Sequence, residues 1–164
     1  MHPVYAMTEN KKILIVDYDS NSLKILEDLF KANSLVVVTA ADGQQAYEVF
    51  KKEKPDVVVL EAMLPKLHGF DLTQKIFNET KGSIPVVIVT GLYKGPQYKN
   101  EALRSFGAAD YFEKPYDQNK LLSSVLNLLQ DEIVIEEDLP DPAAVLDMVS
   151  QLNSSGAASK KQRS

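Results

Sequence analysis

The run Val57-Val58-Val59-Leu60-Glu61 decides the fold, because an unbroken apolar segment leads directly into a carboxylate. Such a short, β-branched run is typical of a strand buried on both faces of a parallel sheet. After it comes a loop with turn residues, Ala62-Met63-Leu64-Pro65-Lys66-Leu67-His68-Gly69. Because ligand sites of open parallel sheets lie at the carboxyl ends of strands, Glu61 is the first candidate site residue.

Three further strand-like runs end on polar groups in the same way. They are 13–16 ending on Asp17, 86–89 ending on Thr90, and 110–113 followed by Lys114. Segments of helical period alternate with these runs, which indicates βαβ units around a parallel sheet. The polar ends of all the strands are therefore expected at one edge of that sheet.

The pattern predicts five strands and five helices in one α/β domain. We place the strands at 12–17, 35–40, 56–61, 84–90 and 109–113, and the helices at 20–32, 43–53, 69–79, 96–106 and 117–130. The predicted N-caps include Ser20 and Asp117, and Gly107 is the predicted residue just past the fourth helix. The expected fold is a flavodoxin-like (βα)5 doubly wound sheet in the order 2-1-3-4-5.

With these residues in place, segment 11–130 resembles a bacterial response-regulator receiver domain. In that family the first strand ends in two adjacent acids, the third in a phosphoacceptor aspartate, the fourth in Thr or Ser, and Lys-Pro follows the fifth. The chain keeps Asp17, Thr90, Lys114 and Pro115 at the matching positions. The resemblance implies a module of two-component signalling that takes a phosphoryl group from a histidine kinase onto aspartate with Mg²⁺ bound.

The chain departs from this family pattern at two positions of the phosphorylation pocket. Tyr18 stands in place of the second acid, and Glu61 stands in place of the phosphoacceptor. Mg²⁺ needs hard oxygen ligands, and the neutral phenol of Tyr18 removes one of them and takes space where the ion would sit. We therefore expect no metal and no cofactor.

The longer side chain of Glu61 predicts a different use of the pocket. Its extra methylene moves the carboxylate roughly 1.5 Å outward, away from the in-line position and toward Thr90 and Lys114. A Glu61–Lys114 ion pair would imitate part of the contact pattern that the resemblance implies for a phosphoaspartate. The resulting interpretation is a pseudo-receiver that is not an enzyme and works by protein–protein interaction.

The resemblance also implies where a partner would bind. In this family the fourth helix, fifth strand and fifth helix form the dimerisation and partner surface, which here contains Tyr98, Phe106 and Tyr111. Tyr111 matches the family's rotating aromatic residue, and a static, half-buried tyrosine is the alternative. A homodimer or a dedicated signalling protein is the expected partner.

Two other functions stay open from the sequence. The motif Asp17-Tyr18-Asp19-Ser20 is similar to the nucleophile motif of haloacid-dehalogenase-type phosphatases. A receiver that is still phosphorylated, at an unconventional residue, is the second alternative. Asp19 itself is either a helix-capping acid or a substitute metal ligand, and Asp17 with Lys114 is equally well explained as a structural ion pair.

Composition and the chain ends give further expectations. A net charge of −5 offers no general attraction to nucleic acid, and no apolar run is long enough to cross a bilayer, so we expect a cytoplasmic protein. Beyond residue 130 we predict an acidic linker, a short amphipathic helix at about 141–152, and a disordered tail to residue 164. We expect that helix to extend the partner surface.

Overall fold

Five short strands form one parallel sheet within residues 10–137, the part of the chain that the computed structural model describes. The strands are β1 Lys12–Val16, β2 Val36–Ala40, β3 Val57–Leu60, β4 Val86–Thr90 and β5 Asp110–Glu113. Their order is β2-β1-β3-β4-β5, with every neighbouring pair parallel. The predicted flavodoxin-like α/β fold is confirmed.

Five helices cover the two faces of this sheet. They are α1 Ser20–Lys31, α2 Gly43–Glu53, α3 Gly69–Thr80, α4 Pro96–Arg104 and α5 Gln118–Glu137. Because side chains alternate along a strand, each strand contributes to two separate cores. One core joins α1 and α5 to the sheet, and its largest contributors include Ile13, Ile15, Phe30, Val59, Leu121 and Leu129. The other joins α2, α3 and α4, and includes Leu14, Phe50, Leu60, Phe70, Ile88 and Ala102.

Side-chain caps fix the starts of α1, α2, α3 and α5, whereas α4 starts after Gly95 without one. Asp19 caps α1 with an extended backbone and accepts from the N–H of Asn21 at 3.2 Å, so the predicted cap, Ser20, is wrong by one position. Ser20 is the first residue of the helix itself, whereas the N-cap is the residue before it. Asp117 accepts from backbone N–H groups at the start of α5 as predicted.

The ends of the last two helices differ from the prediction. α4 ends at Arg104 with Ser105 as its C-cap, so Gly107 lies further along the chain, in the turn that follows the helix. Gly107 has φ +82°, and a Cβ there would lie 2.4 Å from Cγ of Phe77, so this turn requires glycine. α5 continues to Glu137, so residues 131–137, which were expected to belong to an acidic linker, are helical.

The expected helix at 141–152 and the tail that follows it lie outside the described residues. Within residues 10–137, no helix combines the length and the apolar character needed to span a membrane.

Candidate functional site

Four polar side chains meet at the carboxyl edge of the sheet. Asp17 follows β1, Glu61 follows β3, Thr90 ends β4, and Lys114 follows β5. The first three are almost fully buried, with exposed fractions of 2%, 4% and 0%. The central positions of β1, β3 and β4 explain this burial, because the flanking strands and loops surround their ends. The predicted convergence of these residues is confirmed.

Lys114 bridges the two buried carboxylates. Its Nζ lies 2.9 Å from Oδ2 of Asp17 and 3.1 Å from Oε1 of Glu61. The predicted Glu61–Lys114 ion pair is present, and Asp17 shares the same ammonium group. Ser22 Oγ lies 3.5 Å from the same Nζ. Lys114 is therefore the one cation recorded against these two carboxylates within residues 10–130.

Backbone N–H groups bind the remaining carboxylate oxygens. Oδ1 of Asp17 accepts from the N–H of Asp19 at 2.9 Å, and Oε2 of Glu61 accepts from the N–H of Met63 at 3.1 Å. Oε1 of Glu61 also accepts a longer bond of 3.4 Å from Gly91. All four carboxylate oxygens thus have an N–H donor from the protein, which holds both side chains in fixed orientations.

Burial and pairing shift the protonation equilibria of the site. Burial raises the pKa of Asp17 above its ordinary value, although the hydrogen bond from Lys114 opposes that shift. Burial alone would lower the pKa of Lys114, but the hydrogen bonds to Asp17 and Glu61 raise it overall. Lys114 therefore stays an ammonium ion at neutral pH and keeps its charge between the two carboxylates.

The residues present do not fit a Mg²⁺ ion. Within the described part of the chain, no three His, Cys, Asp or Glu side chains come together in a way that could hold a metal. Asp19, the open alternative for a metal ligand, instead caps α1 and accepts from Ser22 Oγ at 3.0 Å. Lys114 occupies the space between the carboxylates of Asp17 and Glu61, where a cation would otherwise sit.

The predicted position of Tyr18 is wrong. Its side chain is 56% exposed and does not fill the pocket. The N–H of Asp19 folds back onto Asp17, and the chain then enters α1 at once, so Tyr18 between them points outward. A metal ligand is lost at this position because Tyr18 carries a neutral phenol in place of a carboxylate. The ring points outward, so it does not block the pocket.

Thr90 hydrogen-bonds the loop that follows its own strand. Its hydroxyl accepts from the backbone N–H groups of Leu92 and Tyr93, at 3.2 and 3.3 Å. These bonds turn the chain after β4 back over the strand end. The hydroxyl is committed to its own loop, and Glu61 reaches the backbone of Gly91 instead.

An aromatic cluster adjoins the site on the α3–α4 side of the sheet. Tyr111 is 4% exposed, and its hydroxyl donates to the carbonyl of Tyr93, so the expectation of a half-buried ring is wrong. Phe106 stacks on Phe70 with ring centroids 5.3 Å apart and planes at 16°. Tyr98 meets Tyr93 edge to face at 5.4 Å. Both Tyr98 and Phe106 are half-buried and belong to the core of this face.

Sequence reasoning missed His68 as a structural element of the site. Its Nδ1 accepts from the N–H of Phe70 and caps α3, and its Nε2 lies 3.1 Å from the hydroxyl of Tyr93. The available signal was its position directly before Gly69, at the predicted start of the third helix. Histidine is an uncommon N-cap, and the capping role was therefore not assigned from residue type.

Comparisons with known proteins agree with this geometry. A family model described as the response regulator receiver domain matches residues 13–126. The probable transcriptional regulator ycf27 of Cyanophora paradoxa is 37% identical over 120 residues, which cover 73% of this chain and 48% of that protein. The alkaline phosphatase synthesis transcriptional regulatory protein PhoP of Bacillus subtilis is 31% identical over 121 residues, which cover 74% of this chain and 49% of that protein. The chain thus spans about half the length of these relatives.

Solved structures give the same result. A response regulator receiver domain protein from Clostridium thermocellum has a TM-score of 0.69 and 26% identity, covering 76% of this chain and 98% of its own. The BeF3-activated DrrB receiver domain has a TM-score of 0.67 and 30% identity. The match covers 74% of this chain and 98% of that domain. The strand order, the pocket at the carboxyl edge and the matching family model lead to one conclusion: this chain belongs to the response regulator receiver domain family of two-component signalling.

Proposed function

We propose that this chain is a pseudo-receiver, which works without phosphorylation and acts by binding another protein. The observation that carries the proposal is the buried Glu61 carboxylate, which pairs with Lys114 in the place of the phosphoacceptor. In this reading the glutamate supplies permanently a contact that a receiver otherwise gains by phosphorylation. The chain itself catalyses no reaction, so its output is the surface it presents.

Charge in the pocket argues against phosphoryl transfer onto Glu61. Two carboxylates face a single ammonium group, so a metal ion would be needed to balance the negative charge that a phosphoryl group adds. Phosphoryl transfer depends on positioning and on neutralising the charge of the transferring oxygens, usually with a metal ion. Without a second acid at Tyr18, the metal that would neutralise this charge has too few ligands.

Packing next to the pocket supports a single fixed state of the α4–β5–α5 surface. Tyr111 of β5 is buried and donates to the carbonyl of Tyr93, whose own N–H donates to Thr90. This series of bonds runs from the end of β4 to the face of β5. We infer that the surface formed by α4, β5 and α5 is the output of the domain, with a homodimer or a signalling protein as partner.

The test is treatment with acetyl phosphate, and separately with beryllofluoride, both with Mg²⁺. The proposal predicts no mass increase in the intact protein and no NMR shift change at Gly91, Thr90 or Lys114. The double variant Tyr18→Asp with Glu61→Asp restores both acids of the family pattern and is expected to bind Mg²⁺. The double variant serves as the positive control. Glu61→Asp alone restores the phosphoacceptor but not the second acid, so it separates the effect of the missing acceptor from that of the missing metal ligand.

A covalent phosphoryl adduct on the unmodified chain would overturn the proposal. In that case peptide mapping of the adduct would identify the unconventional acceptor, and the chain would be a phosphorylated receiver after all. Turnover of a small phosphate ester by the unmodified chain would instead favour the phosphatase alternative.

A further inference from the structure

His68 joins two loops at the edge of the sheet. It lies at the end of the β3–α3 loop, where its ring contacts Phe70 and Tyr93 with centroid distances of 5.1 and 5.3 Å. One ring nitrogen caps α3 and the other reaches Tyr93 in the β4–α4 loop. A single half-buried imidazole therefore holds a helix start and a neighbouring loop together.

The two hydrogen bonds define the state of the ring. The N–H of Phe70 donates to Nδ1 at 3.1 Å, so Nδ1 carries no proton. The neutral ring then carries its proton on Nε2, which donates to the hydroxyl of Tyr93 at 3.1 Å. Protonation would place a second N–H on Nδ1, directly facing the N–H of Phe70. It would also add positive charge at the N-terminus of α3, where the helix dipole disfavours it.

Tyr93 is the residue through which a change at His68 would spread. Its hydroxyl meets His68, its N–H donates to Thr90 Oγ1 at 3.3 Å, and its carbonyl accepts from Tyr111. These three contacts belong to three different parts of the domain: the start of α3, the end of β4 and the face of β5. Releasing one contact frees the β4–α4 loop to change the other two.

We propose that His68 is a proton-sensitive latch, which holds the β4–α4 loop through Tyr93 when neutral and releases it when protonated. Among protein side chains, the free imidazole is the one that changes its charge between about pH 5 and about pH 8. The proposal needs neither a phosphoryl group nor its absence, and it stands independently of the function proposed above.

The titratable and charged groups near His68 belong to the β4–α4 loop, to α3 and to the loop that contains His68 itself. From the β4–α4 loop the facing titratable group is the Tyr93 phenol, with the Tyr98 ring 5.4 Å behind it. On α3 itself the exposed Asp71 stands in the first turn. Lys66 precedes His68 in its own loop and lies 3.8 Å from Asp42 at the start of α2.

The experiment compares the full chain with its His68→Asn variant by NMR at about pH 8 and about pH 5. Asparagine is a strong N-cap that does not titrate, so the variant keeps α3 capped at both values. In the unmodified chain, acidification is expected to lower the protection of the Phe70 amide against hydrogen exchange about fivefold relative to the variant, as expected for loss of a cap. The Tyr93 amide and the Tyr111 ring signals should shift with the His68 ring signals, and with the same midpoint.

Two results would overturn the proposal. One is a His68 ring that titrates while Phe70, Tyr93 and Tyr111 stay unchanged, which would mean that the cap and the loop tolerate the charge. The other is the same pH response in His68→Asn, which would place the titrating group elsewhere. Circular dichroism at both pH values checks that each protein remains folded during the comparison.

Discussion

Lys114 is the residue on which the buried charges of the pocket depend. It is 22% exposed at its side chain, and both of its carboxylate partners are almost fully buried. Removing one partner of a buried ion pair leaves an uncompensated charge, at a cost of about 3–5 kcal/mol. We expect Lys114→Ala to lower the free energy of unfolding by about this amount in urea denaturation at pH 7.

Two controls separate charge from packing in this experiment. Lys24→Ala breaks an ion pair with Asp28 that is exposed on both sides, and should leave the unfolding free energy nearly unchanged. Adding Asp17→Asn with Glu61→Gln to Lys114→Ala removes the stranded charges, and should recover much of the loss. Equal unfolding midpoints for Lys114→Ala and Lys24→Ala would show that the buried triad contributes no more than a surface pair.

Residue chemistry predicted the pairing at this site but not the direction of every side chain. Glu61 and Lys114 were expected to pair because both strand ends face the same sheet edge, and parallel order leaves little freedom there. Tyr18 lies on a tight turn, where one backbone bond to Asp17 decides whether a side chain points in or out. Residue type and spacing do not contain that information.

At the scale of elements, the apolar pattern located every strand and every helix within residues 10–137, while their ends depended on local contacts. The predicted strand at 56–61 is observed as Val57–Leu60, although the N–H of Glu61 still donates to the carbonyl of Val16 at 2.9 Å. α4 ends at Arg104, and Gly107 beyond it has φ +82° and lies against Phe77, a contact between distant parts of the chain. Such tertiary contacts are invisible to periodicity.

Tyr111 joins β5 to the β4–α4 loop, and the ionisation of its phenol should make the stability of the domain depend on pH. Burial, followed by the nearby carboxylates of Glu113 and Glu61, raises the pKa of Tyr111 to about 12. An unfolded tyrosine ionises near pH 10, so above that pH the unfolded chain binds fewer protons than the folded one. Stability should therefore fall as the pH rises from about 10 to about 12.

Urea unfolding at a series of alkaline pH values measures this fall, and Tyr111→Phe is the matched control. The variant keeps the buried ring and removes the ionisable group, so its stability should decline less steeply over the same range. The raised pKa of Lys114 contributes a decline of its own there, which remains in both proteins. Parallel slopes for the two proteins would mean that the Tyr111 phenol ionises freely in the folded state.

At the scale of the whole molecule, the order of the sheet and its two cores followed from the alternation of strands and helices. The assignment of partner residues stays a prediction. Tyr98 and Phe106, which were expected to bind a partner, are half-buried and pack against the α3–α4 core. An aspartate at either position would disturb the fold, so a loss of binding there would not locate an interface. Exposed residues on the same surface are better probes.

Lys99 and Arg104 are exposed on α4 and supply those probes. If the α4–β5–α5 surface binds a second copy or a signalling protein, then Lys99→Glu with Arg104→Glu should weaken association, because reversed charges at an interface repel the groups they faced. Lys51→Glu with Lys52→Glu on α2 makes the same change in net charge on the other side of α3, and should leave association intact.

Light scattering and pull-down measure the outcome, and deletion of residues 141–164 tests the predicted extension of the surface. Unchanged assembly in both α4 charge variants and the deletion, with the domain folded by circular dichroism, would place the partner surface elsewhere.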